Sequence, residues 1–245
     1  MKKRQYTILN NRQVVPGVFR LELEDEGAPQ LPPGSFIELA IPGKFLRRPL
    51  SVSLSEPGSL TLLYKVAGEG TAWLAEARTG TSLDLLTELG NGFDTTACRE
   101  QALLIGGGIG VAPLHQLCRD LRNLGRRVTA LLGFNTASEV LLREEMEALG
   151  ATVIIATADG SSGMTGLVTD ALQQARPSFD HYYVCGPMPM MRALHPLLPD
   201  CGEFSLEERM GCGTGLCFGC TVQTTEGPRR ICHEGPVFPK SILPW

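Results

Sequence analysis

A chain of 245 residues, 43% hydrophobic and 20% charged, has room for two modest domains and an appendage, each with a core. Its net charge of −4 and the lack of any basic block argue against nucleic acid and anionic membranes as partners. The opening "MKKRQYTILNNRQ" starts basic but turns polar where a signal peptide turns apolar, and no apolar run is long enough to span a membrane, so a cytoplasmic protein is expected.

Residues 1–97 have a strand texture. "VFRLELE" alternates Phe19, Leu21 and Leu23 with Arg20, Glu22 and Glu24, and "SLTLLYKV" puts Leu60, Leu62, Tyr64 and Val66 on one side. The breaks "LPPGS", "IPGK" and "SEPGS" fall at the spacing of a small antiparallel barrel, interrupted by one short helix, "TAWLAEAR". Residues 98–202 alternate strands ("QALLIGG", "RVTALLGF", "ATVIIATAD", "HYYVCG") with helices ("VAPLHQLCRDLRNLG", "EVLLREEMEALG", "LVTDALQQAR", "MPMMRALHPLL"). That alternation predicts a doubly wound parallel sheet. Residues 203–245 form a third, cysteine- and glycine-rich unit, opened by a capping-box pattern from Ser205 to Glu208.

Within the second region, "LLIGGGIGVAPL" sets Gly106, Gly107, Gly108 and Gly110 between a buried strand and a helix. Glycines there let a dinucleotide pyrophosphate approach the helix N-terminus. The pattern departs from the usual fingerprint at Val111 and Ala112, and "LLGFNTASE" has no acid directly after the strand, so a plain strand–helix turn stays open. "YYVCGPMPMM" places Cys185, Gly186 and Pro187 at the end of another strand of the same sheet, where open α/β sheets bind ligands. The loop "GFNTASEV" lacks Arg or Lys to receive a 2′-phosphate, which favours NAD over NADP.

Eight cysteines in a chain with no export signal point to metal ligation or free thiols. Cys98, Cys118 and Cys201 read as packing or surface thiols. Cys212, Cys217, Cys220 and Cys232 follow C-x4-C-x2-C-x11-C, whose first three positions match the plant-type [2Fe–2S] spacing. Gly211, Gly213, Gly215 and Gly219 keep that loop bare enough for amides to face the sulfurs. A structural zinc is the rival, but zinc sites usually show two close ligand pairs, and here there is one C-x2-C. Neighbouring His233 reads as incidental.

"RRPLSVS" followed by "LLYKVAGEGTAWL" resembles the FAD site of ferredoxin–NADP reductase-type flavoproteins. With "GGGIGVAPL", "CGPMPMM" and "EERMGCGTGLCFGC…CHEGPVF" in the same order, the full length resembles the electron-transfer subunit family of NAD-dependent (class 1B) dihydroorotate dehydrogenase. The resemblance implies that Arg48, Pro49, Leu50 and Ser51 border FAD, with Arg48 on a phosphate and Ser51 near the isoalloxazine ring. It implies that Leu63, Tyr64 and Lys65 line the next strand, that Gly70 and Thr71 meet the pyrophosphate, and that Cys185 faces the nicotinamide. At Lys65 the family commonly has arginine, a fork of donors rather than a point charge. Alone, Arg48 would read as a surface cation, Ser51 as a strand hydroxyl and Cys185 as a small buried hydrophobe.

The resemblance further implies electron flow from an FMN-containing catalytic subunit, two of each subunit, through the cluster and FAD to NAD⁺ in pyrimidine biosynthesis. FAD belongs between a one-electron cluster and a hydride acceptor, and no side-chain acid–base pair is expected to carry the step. Two other readings remain at this point. One is an NAD(P)H reductase subunit of a hydrogenase, sulfite reductase or bifurcating ferredoxin complex. The other is a zinc-stabilised nucleotide-binding regulatory protein.

Overall fold

The computed structural model describes all 245 residues. The first strands are β1 (Lys2–Val15), β2 (Val18–Glu24), β3 (Phe36–Leu39), β4 (Arg48–Glu56) and β5 (Ser59–Lys65). Helix α1 (Glu69–Ala75) separates them from β6 (Ser82–Leu89). They close into a barrel in the order β1-β2-β5-β4-β3-β6, all neighbours antiparallel. The alternation read in the sequence fills it: Leu21 and Leu23 from β2 and Leu60, Leu62 and Tyr64 from β5 pack with Tyr6, Ile8, Ile37 and Leu39. Leu63 points the other way and joins a second core shared with the α/β region.

That region runs β7 (Gln101–Gly107), α2 (Ala112–Asn123), β8 (Arg127–Phe134), α3 (Arg143–Ala148), β9 (Thr152–Thr157), β10 (Met164–Thr165), α4 (Val168–Ala175), β11 (His181–Cys185), α5 (Met188–Leu194) and β12 (Gly202–Ser205). The strands are parallel in the order β10-β9-β8-β7-β11-β12. All the loops after the strands therefore open at one edge, where doubly wound sheets hold ligands. Helix α3 is shorter than "EVLLREEMEALG" suggests. Leu142 sits at φ 60 with its side chain buried, a left-handed residue that α3 cannot extend through.

The C-terminal stretch adds the hairpin β13 (Thr221–Thr224) and β14 (Gly227–Arg230), the one-turn helix α6 (Ile231–Glu234) and β15 (Val237–Pro239). Strand β15 pairs antiparallel with β12, so this stretch finishes the sheet's edge. The capping box expected at Ser205–Glu208 does not form. Ser205 pairs with Val237, and the Leu206 N–H donates to the Pro236 carbonyl at 2.9 Å, so the backbone is engaged as strand and no helix starts.

Polar contacts lock the barrel to the sheet. Gln116 on α2 donates to the Leu31 carbonyl at 2.7 Å, and Arg119 donates to the Ser55 carbonyl at 3.1 Å. Beside them His115 is buried 3.4 Å from Ser53, and burial holds its imidazole down to about 4, neutral at physiological pH. Asn91, just past β6, ties the barrel to the C-terminal stretch. Its Nδ2 donates to the Val237 carbonyl at 2.8 Å and its Oδ1 accepts the Val237 N–H at 3.1 Å. No helix is long and apolar enough to cross a membrane.

Candidate functional site

Between barrel and sheet lies a cavity of about 390 Å³. Seven of the nine barrel residues singled out in the sequence line it: Pro49, Leu50 and Ser51 on β4, Leu63, Tyr64 and Lys65 on β5, and Thr71 on α1. Arg48 and Gly70 lie together at its side. A Cβ at Gly70 would sit 2.6 Å from Arg48 Nε, so a larger residue there would push the guanidinium from its place over the start of α1. Thr71 Oγ1 accepts the Ala67 and Gly68 N–H groups at 2.9 and 3.2 Å, fixing the turn. The Tyr64 hydroxyl is already committed, donating to Asn11 at 3.0 Å, and burial pushes it up to about 12. Tyr64 is among the cavity's lining residues, but its side chain is buried in the barrel core and its hydroxyl is a barrel strut.

The cavity's far wall comes from distant sequence, Phe36, Ile109, Ala112, Ser205, Leu206, Glu207, Glu208, Met210 and Pro236, none of which the motif reading placed at the flavin site. Glu207, an exposed residue, nonetheless has its carboxyl raised by the protein around it. Cys185 ends β11 beside Ser205, is fully buried, and burial drives its thiol well above the ordinary value. It therefore stays a neutral thiol and not a nucleophile.

A second cavity, of about 340 Å³, opens at the ends of the parallel strands. Gly107, Gly108 and Pro187 line it, and the other motif glycines make room around it. A Cβ on Gly110 would fall 2.6 Å from Gly186 Cα and 2.8 Å from the Cys185 carbonyl, so these two loops touch backbone to backbone. Gly106 is different: its missing Cβ makes space for Val111 and Leu114, the packing role of a plain strand–helix turn. Gly133, Phe134, Asn135, Leu167, Val168 and Met190 are among the other lining residues, with one acid, Glu139. Glu139 stands five residues beyond β8 and is turned back by accepting the Asn135 N–H and Nδ2 at 3.1 and 2.8 Å. A search for an acid directly after the strand misses it because the loop folds back.

The four clustered cysteines gather as two pairs, Cys212 contacting Cys217 and Cys220 contacting Cys232. No three His, Cys, Asp or Glu side chains converge on a single-ion geometry. Two pairs suit the two irons of a [2Fe–2S] centre, each taking two thiolates. Backbone amides face the sulfurs: Thr214 and Cys217 N–H on Cys212 Sγ at 3.4 Å, Gly215 N–H on Cys232 Sγ at 3.2 Å, and Cys232 N–H on Cys220 Sγ at 3.4 Å. Burial would raise the Cys212 thiol, but these amides outweigh it and hold it down to about 6. Burial instead pushes Cys232 up to about 12. The glycines are needed sterically. A Cβ on Gly213 would strike Glu38 at 2.6 Å, and one on Gly215 would strike His233 at 2.8 Å. Cys220 and Cys232 are buried while Cys217 is exposed, flanked by Leu216 and Phe218 at 82% and 62% exposure.

Family models match two of the three regions. Residues 207–243 match the family described as the iron-sulfur cluster binding domain of dihydroorotate dehydrogenase B, and residues 104–195 match the oxidoreductase NAD-binding domain. The chain is 38% identical to the "Dihydroorotate dehydrogenase B (NAD(+)), electron transfer subunit" of Lysinibacillus sphaericus (strain C3-41), covering 99% of each. It is 42% identical to the protein of that name from Shouchella clausii (strain KSM-K16), covering 98% of each. Among solved structures, an NADH-dependent reduced ferredoxin-NADP oxidoreductase superposes with a TM-score of 0.88 at 27% identity, over 98% of this chain and 90% of the other. A flavohemoglobin from Malassezia yamatoensis shares the fold, with a TM-score of 0.70 at 20% identity over 80% of this chain and 56% of the other.

Proposed function

Because the chain belongs to the family of dihydroorotate dehydrogenase B electron transfer subunits, we propose a residue-level account of how it passes electrons from a catalytic subunit to NAD⁺. The partner removes two electrons and two protons from dihydroorotate, leaving orotate. NAD⁺ takes both electrons with one proton as hydride, and the second proton goes to solvent. Bound FAD supplies the exchange between a one-electron [2Fe–2S] cluster and the two-electron nicotinamide.

The chain's own residues bind, orient and shield. Pro49, Leu50, Ser51, Leu63 and Lys65 would hold the flavin ring, with Arg48, Gly70 and Thr71 at its phosphates. Gly107 and Gly108 would admit the NAD⁺ pyrophosphate, and Glu139 would accept a ribose hydroxyl, which a 2′-phosphate could not offer. Gly110, Cys185, Gly186 and Pro187 would bring the nicotinamide to the ring's edge. Cys212, Cys217, Cys220 and Cys232 would hold the cluster. Leu216 and Phe218, apolar and exposed beside Cys217, would seat the catalytic subunit there. We assign three functional units, 1–97, 98–202 and 203–245, in a complex of two chains of each kind. A cytoplasmic location suits thiolate ligands and an NAD⁺ acceptor.

The observation that carries this reading is continuity. Met210, two residues before Cys212, lines the cavity bounded by the barrel motif, and the same cavity is walled by Ile109 and Ala112 of the NAD-type loop. The test is an anaerobic spectral titration of the natively purified complex. Dihydroorotate should bleach flavin and cluster absorbance, and NAD⁺ but not NADP⁺ should restore it. Bleaching by NADH but not by dihydroorotate would favour a reductase subunit like the 27%-identical oxidoreductase.

A further inference from the structure

Arg230 ends β14, two residues before Cys232, and its contacts are unusually dense. Nε donates to Glu234 Oε2 at 3.1 Å, Nη2 pairs with Glu234 Oε1, and the Arg230 N–H donates to the same carboxylate at 2.7 Å. With the fork anchored by Glu234, Nη1 reaches across to the Gly215 carbonyl at 2.7 Å. The guanidinium also lies 4.9 Å from the centroid of the Phe218 ring. One side chain thus grips the cysteine loop on both sides of Cys217.

One of the two gripped residues has a conformation that the loop would not hold by itself, and the other carries an amide that faces a ligand sulfur. Phe218 is at φ 60, a conformation that costs a residue with a side chain and persists only where surroundings impose it. Gly215, at φ 84, presents its N–H to Cys232 Sγ at 3.2 Å. Hydrogen bonds to ligating sulfurs help set an iron–sulfur potential, because they favour the more negative reduced state.

We propose that Arg230 is a positioning residue for the iron–sulfur centre. Its guanidinium fixes the stretch from Gly215 to Phe218, keeps the Gly215 N–H on the Cys232 sulfur, and thereby raises the centre's reduction potential. This rests on the reading that the four cysteines hold a [2Fe–2S] cluster. Lysine would keep the charge but could not donate to Glu234 and Gly215 at once while stacking on Phe218.

The test compares wild type, Arg230→Lys and Arg230→Ala in the full, cofactor-loaded complex. An EPR-monitored redox titration reads the potential, and ENDOR after exchange into D₂O reads the exchangeable-proton coupling to the reduced cluster. Iron content accompanies each. The expected result is a shift to more negative potential in both variants, with one coupling weakened or lost, in protein that keeps its iron. Wild-type potential and coupling in Arg230→Lys would overturn the proposal, since charge alone would then suffice. If Arg230→Ala loses its iron, the lysine variant still decides. A wild type with no [2Fe–2S] signal would instead overturn the cluster reading beneath it.

Discussion

The cysteine loop and the nucleotide-type cavities touch one another but are assembled in opposite ways. All four thiols of the loop come from a single stretch, 212–232, and the amides that face them come from the same stretch. The larger of the two cavities draws on residues from Phe36 to Pro236. A site built from local backbone is fixed by spacing and glycine placement. One built from distant segments exists only once barrel, sheet and tail have packed. The two regions should therefore fail differently.

The largest expected effect comes from Cys217→Ser. The change removes one thiolate at an exposed position and leaves the cavities intact. Dihydroorotate-driven NAD⁺ reduction should fall on the order of 100-fold or more, since even outer-shell changes at metal sites cost 10–100-fold. NADH oxidation by a dye that accepts electrons from flavin should stay near wild type. Iron content and the two assays check this. Equal loss in both assays would mean that loop and cavities are one cooperative unit, and the contrast would break.

The converse change is Gly110→Val. Its Cβ would press 2.6 Å from Gly186 Cα, where backbone has no soft way to yield. Overpacking of this kind costs about 1–3 kcal/mol, and the loops holding Gly107 and Pro187 must separate to relieve it. The expected outcome is a lower melting temperature and a KM for NAD⁺ raised roughly 10-fold, at a factor of ten per 1.4 kcal/mol. Cluster iron should be unchanged. Iron loss in this variant would show that strain crosses from the sheet into the loop.

The same division decides what could be read in the sequence. The barrel was legible from the period-two pattern in Leu60, Leu62 and Tyr64, and the parallel sheet from its strand–helix alternation. The thiol spacing and bare glycines announced the cysteine loop because all its determinants are local. Glu139 was not legible: a fold-back of the loop onto Asn135, not sequence distance, brings it to the cavity. Glu207, Met210 and Pro236 were hidden because β12 and β15 must pair before those residues meet the barrel. The capping pattern at Ser205 misled for that reason too, since the pairing of β12 with β15 outweighs a local helix signal. Leu63 breaks the simple alternation because both faces of β5 are covered, one by the barrel core and one by the α/β region.

The smallest effect lies away from both regions, in β12. Glu203 accepts the Asp94 N–H at 3.1 Å, yet burial raises its carboxyl from an ordinary 4.5 to about 7, with the nearby Asp94 charge adding to the rise. A raised acid favours its protonated form. Its contribution to stability is complete below about 4.5 and is lost as pH rises through about 7. Glu203→Gln cannot ionise, and its amide oxygen can still accept from Asp94. The variant should match wild type at pH 4 and exceed it at pH 8, by roughly 2–4 °C if about 1 kcal/mol is recovered. Melting curves at the two pH values measure this, with flavin and iron content held as controls. No gain at pH 8 would mean that Glu203 ionises in the fold without penalty. The edge that joins sheet to cysteine loop would then be more hydrated than its packing suggests, and the two regions would be less firmly coupled through β12 and β15.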